Sequence, residues 1–281
     1  MSDELVCDVC PRACKLKPQA TGFCGARVNN GDTIVCDNYG RVTSIALDPV
    51  TKKPLARWNP QDYVVSLGSY GCNMSCPFCQ NYQISAARQD SVSWEYWDPQ
   101  QVVQTTLDLR KKDPRVIGIA FTYNEPLISW EYVRDTSLLA HKAGLKNVLV
   151  SNGQANAHII QGLLGLIDAV NIDLKASSQE VYSKMGGSLE TAQTTISLLA
   201  QDPACHVEVT TLMVPGMSAG LKSIAAIAQW IANIDPEIPY HLSRCFPRYK
   251  MTDIEPTPVA DVYKAAELAR TYLHHVYTGN C

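Results

Sequence analysis

The chain has 281 residues, is 46% hydrophobic and carries a formal net charge of -3, which suits one large α/β unit with a small appendage. No long run of one charge sign offers a footprint for nucleic acid or an anionic membrane, and no apolar run approaches the length of a membrane span. The start Met1-Ser2-Asp3-Glu4-Leu5 has neither the basic nor the apolar region of a secretory leader, so a cytoplasmic protein with a protein or small-molecule partner, and no nucleic acid or membrane partner, is expected.

The first sixty residues hold Cys7, Cys10, Cys14 and Cys24 at C-x2-C-x3-C-x9-C spacing, then short strand-like pieces at Thr33-Ile34-Val35 and Val42-Thr43-Ser44-Ile45-Ala46. So small a unit buries little apolar surface, and a metal is the expected source of its stability. Residues 1–61 therefore read as a cysteine-rich metal-binding module, closed by four thiolates around zinc or a second [4Fe–4S] cluster. The three-residue gap favours the cluster over a zinc knuckle. The eleven cysteines are odd in number and seven fall in two ligand patterns, so metal ligation in a reducing compartment explains them better than disulfides. Cys36, Cys205, Cys245 and Cys281 stand alone and receive no ligand role.

Residues 62–281 alternate apolar strands with amphipathic helices. The run Tyr63-Val64-Val65-Ser66-Leu67 reads as a buried strand, after which Gly68 and Gly71 let the backbone turn into Cys72-Asn73-Met74-Ser75-Cys76-Pro77-Phe78-Cys79. A C-x3-C-x2-C loop gives three thiolates to a cube of four irons and four sulfides and leaves one iron without a protein ligand. A structural zinc knot would pair C-x2-C units and close with a fourth ligand.

Strands are expected at 63–68, 115–122, 146–151, 168–173, 206–213 and 239–245, and helices near 98–111, 127–143, 157–165, 188–201, 219–233 and 257–273. Asp98 before Pro99, Ser188, and Thr257 before Pro258 read as helix caps. Repeated strand and helix demand a parallel sheet with right-handed crossovers, and functional side chains gather where such strands end. Polar groups stand at those ends: Thr122-Tyr123-Asn124-Glu125-Pro126, Ser151-Asn152-Gly153, Asn171-Ile172-Asp173-Leu174-Lys175, and Arg244 followed by Arg248-Tyr249-Lys250. Glu208 and Thr210 share one strand face, and a carboxylate pointing into a barrel needs a reason. Asp173 and Lys175 share a face too, which a simple salt bridge would also explain.

These motifs resemble radical S-adenosylmethionine (SAM) enzymes, in which SAM chelates the open iron of a [4Fe–4S] cluster. The likeness is closest to the radical SAM member of the AmmeMemoRadiSam system. It runs through the N-terminal cysteines, Asn38-Tyr39-Gly40-Arg41-Val42, Lys52-Lys53-Pro54-Leu55, the cluster loop with Gln80-Asn81, Tyr123-Asn124-Glu125-Pro126, Asn171 to Lys175, and Tyr249-Lys250-Met251-Thr252-Asp253. Glycyl-radical-enzyme activases such as the pyruvate formate-lyase activating enzyme carry Gly-Gly-Glu-Pro where this chain has Tyr-Asn-Glu-Pro. Two departures are Phe246, where many relatives have histidine, and the end at Cys281, where many continue.

The resemblance implies a partial (β/α)6 TIM-type barrel behind the N-terminal module, with cluster ligands Cys72, Cys76 and Cys79. It places Phe78, Asn124, Glu125, Ser151, Asn152, Asp173, Lys175 and Thr210 at the cofactor, Glu125 gripping the SAM ammonium. SAM held there extends toward the last strand, which makes His241, Arg244 and Tyr249 the expected catalytic residues, with Lys250 beside them on the substrate side. The implied activity is reductive SAM cleavage to a 5′-deoxyadenosyl radical that abstracts hydrogen. A one-electron donor such as flavodoxin or ferredoxin is implied, with Memo-like and AMMECR-like proteins as partners. A glycyl-radical-enzyme activase and a non-catalytic iron–sulfur electron carrier are the alternatives.

Overall fold

The computed structural model describes residues 4–281. In the N-terminal part, Leu5–Val6 pairs with Lys15–Leu16 and Arg27–Asn29 with Ile34–Cys36, both antiparallel. The run expected over 42–46 breaks at Thr43: Arg41–Val42 pairs with Glu95–Tyr96, while the rest continues as β1 (Ser44–Pro49).

The centre is one eight-stranded sheet of β1, β2 (Tyr63–Gly68), β3 (Val116–Phe121), β4 (Lys146–Ser151), β5 (Ala169–Asp173), β6 (His206–Met213), β7 (Tyr240–Arg244) and β8 (Val276–Gly279), side by side in chain order. Strands β2 to β8 are parallel, and β1 lies antiparallel on β2. Six of these strands match the expected runs. The two edges were not marked by the pattern, because β1 mixes Asp48 and Pro49 into its run and β8 holds a single aliphatic residue, Val276. The result is the parallel sheet that the alternation of elements demanded, in the partial barrel that the resemblance implied. The residue-61 boundary falls between β1 and β2, which are hydrogen-bonded neighbours.

The longer helices are α1 (Pro99–Lys112), α2 (Trp130–Lys142), α3 (Leu189–Ala200), α4 (Leu221–Ala232) and α5 (Val259–Ala269). Asp98 caps α1 by accepting from the N–H groups of Gln100 and Gln101, and the Ser188 hydroxyl accepts from Thr191 N–H at the start of α3. Thr257 is not a cap. Pro258 holds that position with no side-chain bond, while the Thr257 hydroxyl donates to Met213 O and its carbonyl accepts from Arg244 Nε at 2.7 Å. The helix expected over 157–165 stops at Gln161.

The two sheet faces have different cover. Val207, Val209, Met213, Tyr240 and Leu242 pack with Ile196, Ile224, Ile227, Val262 and Ala266 of the helices in the main core. On the inner face, Val64, Ala120, Val148 and Ala169 gather around Val50 and Leu55, so the segment after β1 fills the start of the barrel. Burying a Leu side chain stabilises by roughly 1.5–3 kcal/mol. Polar contacts fix the segment: Asn171 Nδ2 donates to Pro54 O at 2.8 Å, and Glu208 accepts from the N–H groups of Ala56 at 3.0 Å and Arg57 at 2.8 Å. Here lies the reason for the inward carboxylate. Among the described residues, no helix is long and apolar enough to cross a membrane.

Candidate active site

The cysteine loop leaves the carboxyl end of β2. Gly71, at φ +88°, makes a turn that side chains rarely adopt. Backbone bonds hold the loop: Gly71 N–H donates to Ile84 O, Ser75 N–H to Met185 O, and Cys79 N–H to Cys76 O. Met74 N–H and Asn152 Nδ2 point at Cys72 Sγ from 3.4 and 3.5 Å, and Cys79 Sγ lies 3.1 Å from Ser85 Oγ. Burial raises the Cys72 thiol well above its ordinary pKa, and the nearby Glu125 carboxylate adds to this. Burial also raises Cys76, with the Lys175 ammonium opposing it.

Three free thiols on one loop, with N–H donors aimed at a sulfur, are the donor set an iron–sulfur cluster takes, and ligation would release their protons. Among the described residues no three His, Cys, Asp or Glu side chains are gathered as they would be around a single ion. The fit to a cluster rests on the donor set itself, three thiols on one loop with N–H groups aimed at Cys72 Sγ. Phe78 is buried in the main core beside the loop.

Glu125 follows β3 and is 1% exposed. Its Oε1 accepts from Ser151 Oγ at 2.7 Å and Leu127 N–H at 3.0 Å, while Oε2 accepts from Asn152 N–H at 2.8 Å. Burial pushes its carboxyl up to about 7, against the pull of Asn152 N–H, Ser151, Leu127 N–H and the Lys175 charge. The carboxylate therefore ties the ends of β3 and β4 together and keeps one lone pair on Oε2 uncommitted. Asn124 braces the cluster loop: Ser69 N–H donates to its Oδ1 at 3.0 Å and its Nδ2 donates to Gly71 O at 3.1 Å.

Asp173, Thr210, His241 and Tyr277 are register partners across β5 to β8 and so share one row. Alternation from Ala169 puts this row on the inner face. Thr210 Oγ1 is buried without a partner, which leaves it free for a bound group. Lys175 Nζ lies 2.9 Å from Asp173 Oδ2, confirming the salt bridge, and the ammonium also faces Cys76. Burial disfavours that charge, yet Asp173 and Cys76 raise its pKa on balance.

The substrate-side group is divided. His241 is the second residue of β7 and stands in the row of Asp173 and Thr210, where its Nε2 meets Glu208 Oε2 at 2.5 Å and its ring stacks on Tyr277. Arg244 does end the strand, but its guanidinium lies over the Phe246 ring and is tied to Thr257 O. Tyr249, at φ +58°, stacks on Tyr82 with ring centroids 4.7 Å apart, and Lys250 N–H donates to Pro77 O at 2.9 Å. The loop after β7 thus rests on the cluster loop. His241 is not brought to it.

Cys7, Cys10, Cys14 and Cys24 line one small cavity with Arg12, Arg27, Asn73 and Ile128. Cys7 N–H donates to Cys14 O at 2.9 Å, and burial raises the thiols of Cys7 and Cys10, with the other module cysteines adding to the effect. This module reaches the cluster loop directly, since Arg12 Nε donates to Asn73 O at 2.7 Å and Asn152 Nδ2 donates to Asn73 Oδ1 at 3.0 Å. Asn73 is a site residue that pattern reading missed, because an asparagine between cysteines carries no periodic signal.

The radical SAM superfamily model matches residues 67–226. The Methanocaldococcus jannaschii protein named "Uncharacterized protein MJ0808" is 36% identical over 276 residues, 98% of this chain and 80% of that protein. A domain of pyruvate-formate lyase-activating enzyme from Bacteroides vulgatus is similar in structure, with a TM-score of 0.50 at 17% identity over 59% of this chain and 99% of that one. Streptococcus suis SuiB bound to S-adenosylmethionine gives a TM-score of 0.58 at 12% identity, over 78% of this chain and 52% of that one. At such identities the structural likeness shows the fold alone.

Proposed function

This chain belongs to the radical SAM superfamily, and from that premise we propose that it is an AmmeMemoRadiSam-type enzyme that takes hydrogen from a substrate C–H bond. A [4Fe–4S] cluster and SAM, which the family implies, would together supply the electron and the carbon radical for that step. Cys72, Cys76 and Cys79 would hold the cluster, and the uncommitted lone pair of Glu125 would accept from the SAM ammonium. Asn152 steadies Cys72 from one side, and Thr210 offers its free hydroxyl from the inner face. The loop carrying Tyr249 and Lys250 covers the cluster loop, where it would exclude water and oxygen.

The observation that carries this reading is the meeting of the three-thiol loop, through Cys72, with Glu125 at adjacent strand ends. The four cysteines of the N-terminal module would hold a second cluster or zinc. A flavodoxin or ferredoxin as electron donor, Memo-like and AMMECR-like proteins as partners, and a cytoplasmic setting belong to the same proposal. Incubating reduced enzyme and SAM with each candidate partner in deuterated form tests it. Deuterium in 5′-deoxyadenosine identifies the donor, a partner glycine as donor would make the enzyme an activase, and no SAM cleavage with any partner would overturn the reading.

A further inference from the structure

Tyr123 stands at the centre of the segment that leads from β3 to Glu125, and its backbone is unusual. Its φ is +72°, a region that a bulky side chain rarely enters, and Asn124 N–H closes a three-residue turn on Thr122 O at 3.0 Å. Something must hold it there. From outside, Asn81 Nδ2, two residues beyond Cys79, donates to Tyr123 O at 2.7 Å. From inside, the ring lies against Gly68, where a Cβ would stand 2.8 Å from Tyr123 Cδ2. Its hydroxyl donates to Asp48 Oδ2 at 2.5 Å.

Asp48 is itself held by cations. Lys53 Nζ lies 2.7 Å from Oδ2 and 4.9 Å from the centre of the Tyr123 ring, and Lys52 Nζ lies 2.7 Å from Oδ1. Lys53 is 2% exposed, which is uncommon for a lysine unless it is paired for a purpose. Burial would raise the Asp48 carboxyl, but Lys52, Lys53 and Tyr123 hold it below its ordinary range. The carboxylate stays charged and accepts strongly.

We infer that Asp48 and Lys53 act with Tyr123 as a positioning network: they lock the left-handed turn before Glu125 and thereby set the Glu125 carboxylate and the Asn81 end of the cluster loop for SAM. The inference rests on the reading that Glu125 receives the SAM ammonium. The network joins β1 and the segment after it, the motif after β3 and the tail of the cluster loop through side chains that need not touch the reacting atoms. A glycine adopts the same φ without strain, so this chain replaces backbone freedom by an anchored ring.

The test uses reconstituted protein carrying Tyr123→Phe, Tyr123→Gly or Asp48→Asn, with cluster content checked first. Hydrogen exchange of the 120–128 region without SAM reports the turn, and equilibrium binding reports SAM affinity. Tyr123→Phe removes the anchor while keeping the strain, so exchange should quicken and SAM affinity fall about tenfold, the scale of a lost bond to a charged group. Tyr123→Gly should bind SAM more tightly than Tyr123→Phe, and Asp48→Asn should act as Tyr123→Phe does, more weakly. Unchanged exchange and affinity in Tyr123→Phe would overturn the network, as would faster exchange with unaltered affinity. Failure of the parent protein to bind SAM would instead overturn the reading of Glu125, whatever the exchange shows.

Discussion

A side chain has no room on Gly71, because its Cβ would collide with the carbonyl oxygen of Cys24. The loop of the N-terminal cysteines and the loop of the second cysteine group therefore touch backbone to backbone. Any shift in one must be taken up by the other, since packed interiors transmit displacement.

The first prediction follows from this contact. Cys10→Ala should empty the N-terminal cavity of metal and also lower cluster occupancy at Cys72, Cys76 and Cys79, measured as iron, zinc and sulfide per chain. In the variant with those three cysteines replaced by alanine, about four irons remaining mark a second cluster and about one zinc marks a zinc centre. Neither metal in that variant would remove the N-terminal site.

Alanine at any one of Cys72, Cys76 or Cys79 should abolish SAM cleavage, because the loop has only three thiolates to give and each would serve its own iron. Full cleavage activity in a triple alanine variant, read as 5′-deoxyadenosine formed, would reject the assignment.

Glu125 gives a pH test with a defined sign. Its folded carboxyl titrates near 7, above the ordinary 4.5, so folding favours the protonated form. The stability that this confers is complete below about 4.5 and lost as pH rises through about 7. Relative to Glu125→Gln, the SAM-free parent should therefore lose stability across that window, by up to the order of 3 kcal/mol. SAM should restore it, and Glu125→Gln should weaken SAM binding by about 1–3 kcal/mol. Melting curves with and without SAM at pH 5 and 8 would show a pH-independent difference if the carboxylate is no partner of SAM.

Glu208 has the opposite sign. Burial alone would raise it, but His206, His241 and the N–H groups of Ala56 and Arg57 hold it at about 2. Its contribution is present above about 4.5 and lost as pH falls toward 2. Glu208→Gln should cost about 1–3 kcal/mol at neutral pH, the scale for hydrogen bonds to a charged group. The gap to the parent should narrow below pH 4.5 in denaturant titrations; a gap that stays constant would contradict the assigned role.

Tyr249→Ala removes the ring that rests on Tyr82. Slow SAM cleavage without substrate should persist while hydrogen transfer from the true substrate is lost, and oxygen should bleach the cluster faster. Loss of SAM binding would move Tyr249 into the cofactor shell, and normal turnover would remove it from the site.

Much of this could be read from the chain because its signals are local. The six long apolar runs, the cysteine spacing, and the caps Asp98 and Ser188 depend on neighbours within a few residues. What could not be read depends on distance along the chain. Tyr123 and Asp48 are 75 residues apart, and nothing in either neighbourhood announces the other. His241 is bound to Glu208, 33 residues away, and a strand's apolar run gives no sign of that pairing. Thr257 has the composition of a cap, yet tertiary bonds to Met213 and Arg244 claim it.

The pairing of β1 with β2 also bears on how the molecule can be cut. A fragment beginning at residue 62 would keep every cysteine of the cluster loop but would bare the β2 edge from Tyr63 to Gly68, whose backbone groups now meet β1. An uncovered, apolar edge strand is a template for other chains, so such a fragment should self-associate. It would also lose Val50 and Leu55 from the barrel's inner core and leave Glu208 without the two N–H donors it now has. The first sixty residues thus do for the barrel what a closing strand and a stopper do for any open vessel, and a shorter catalytic version of this chain would need a new edge of its own.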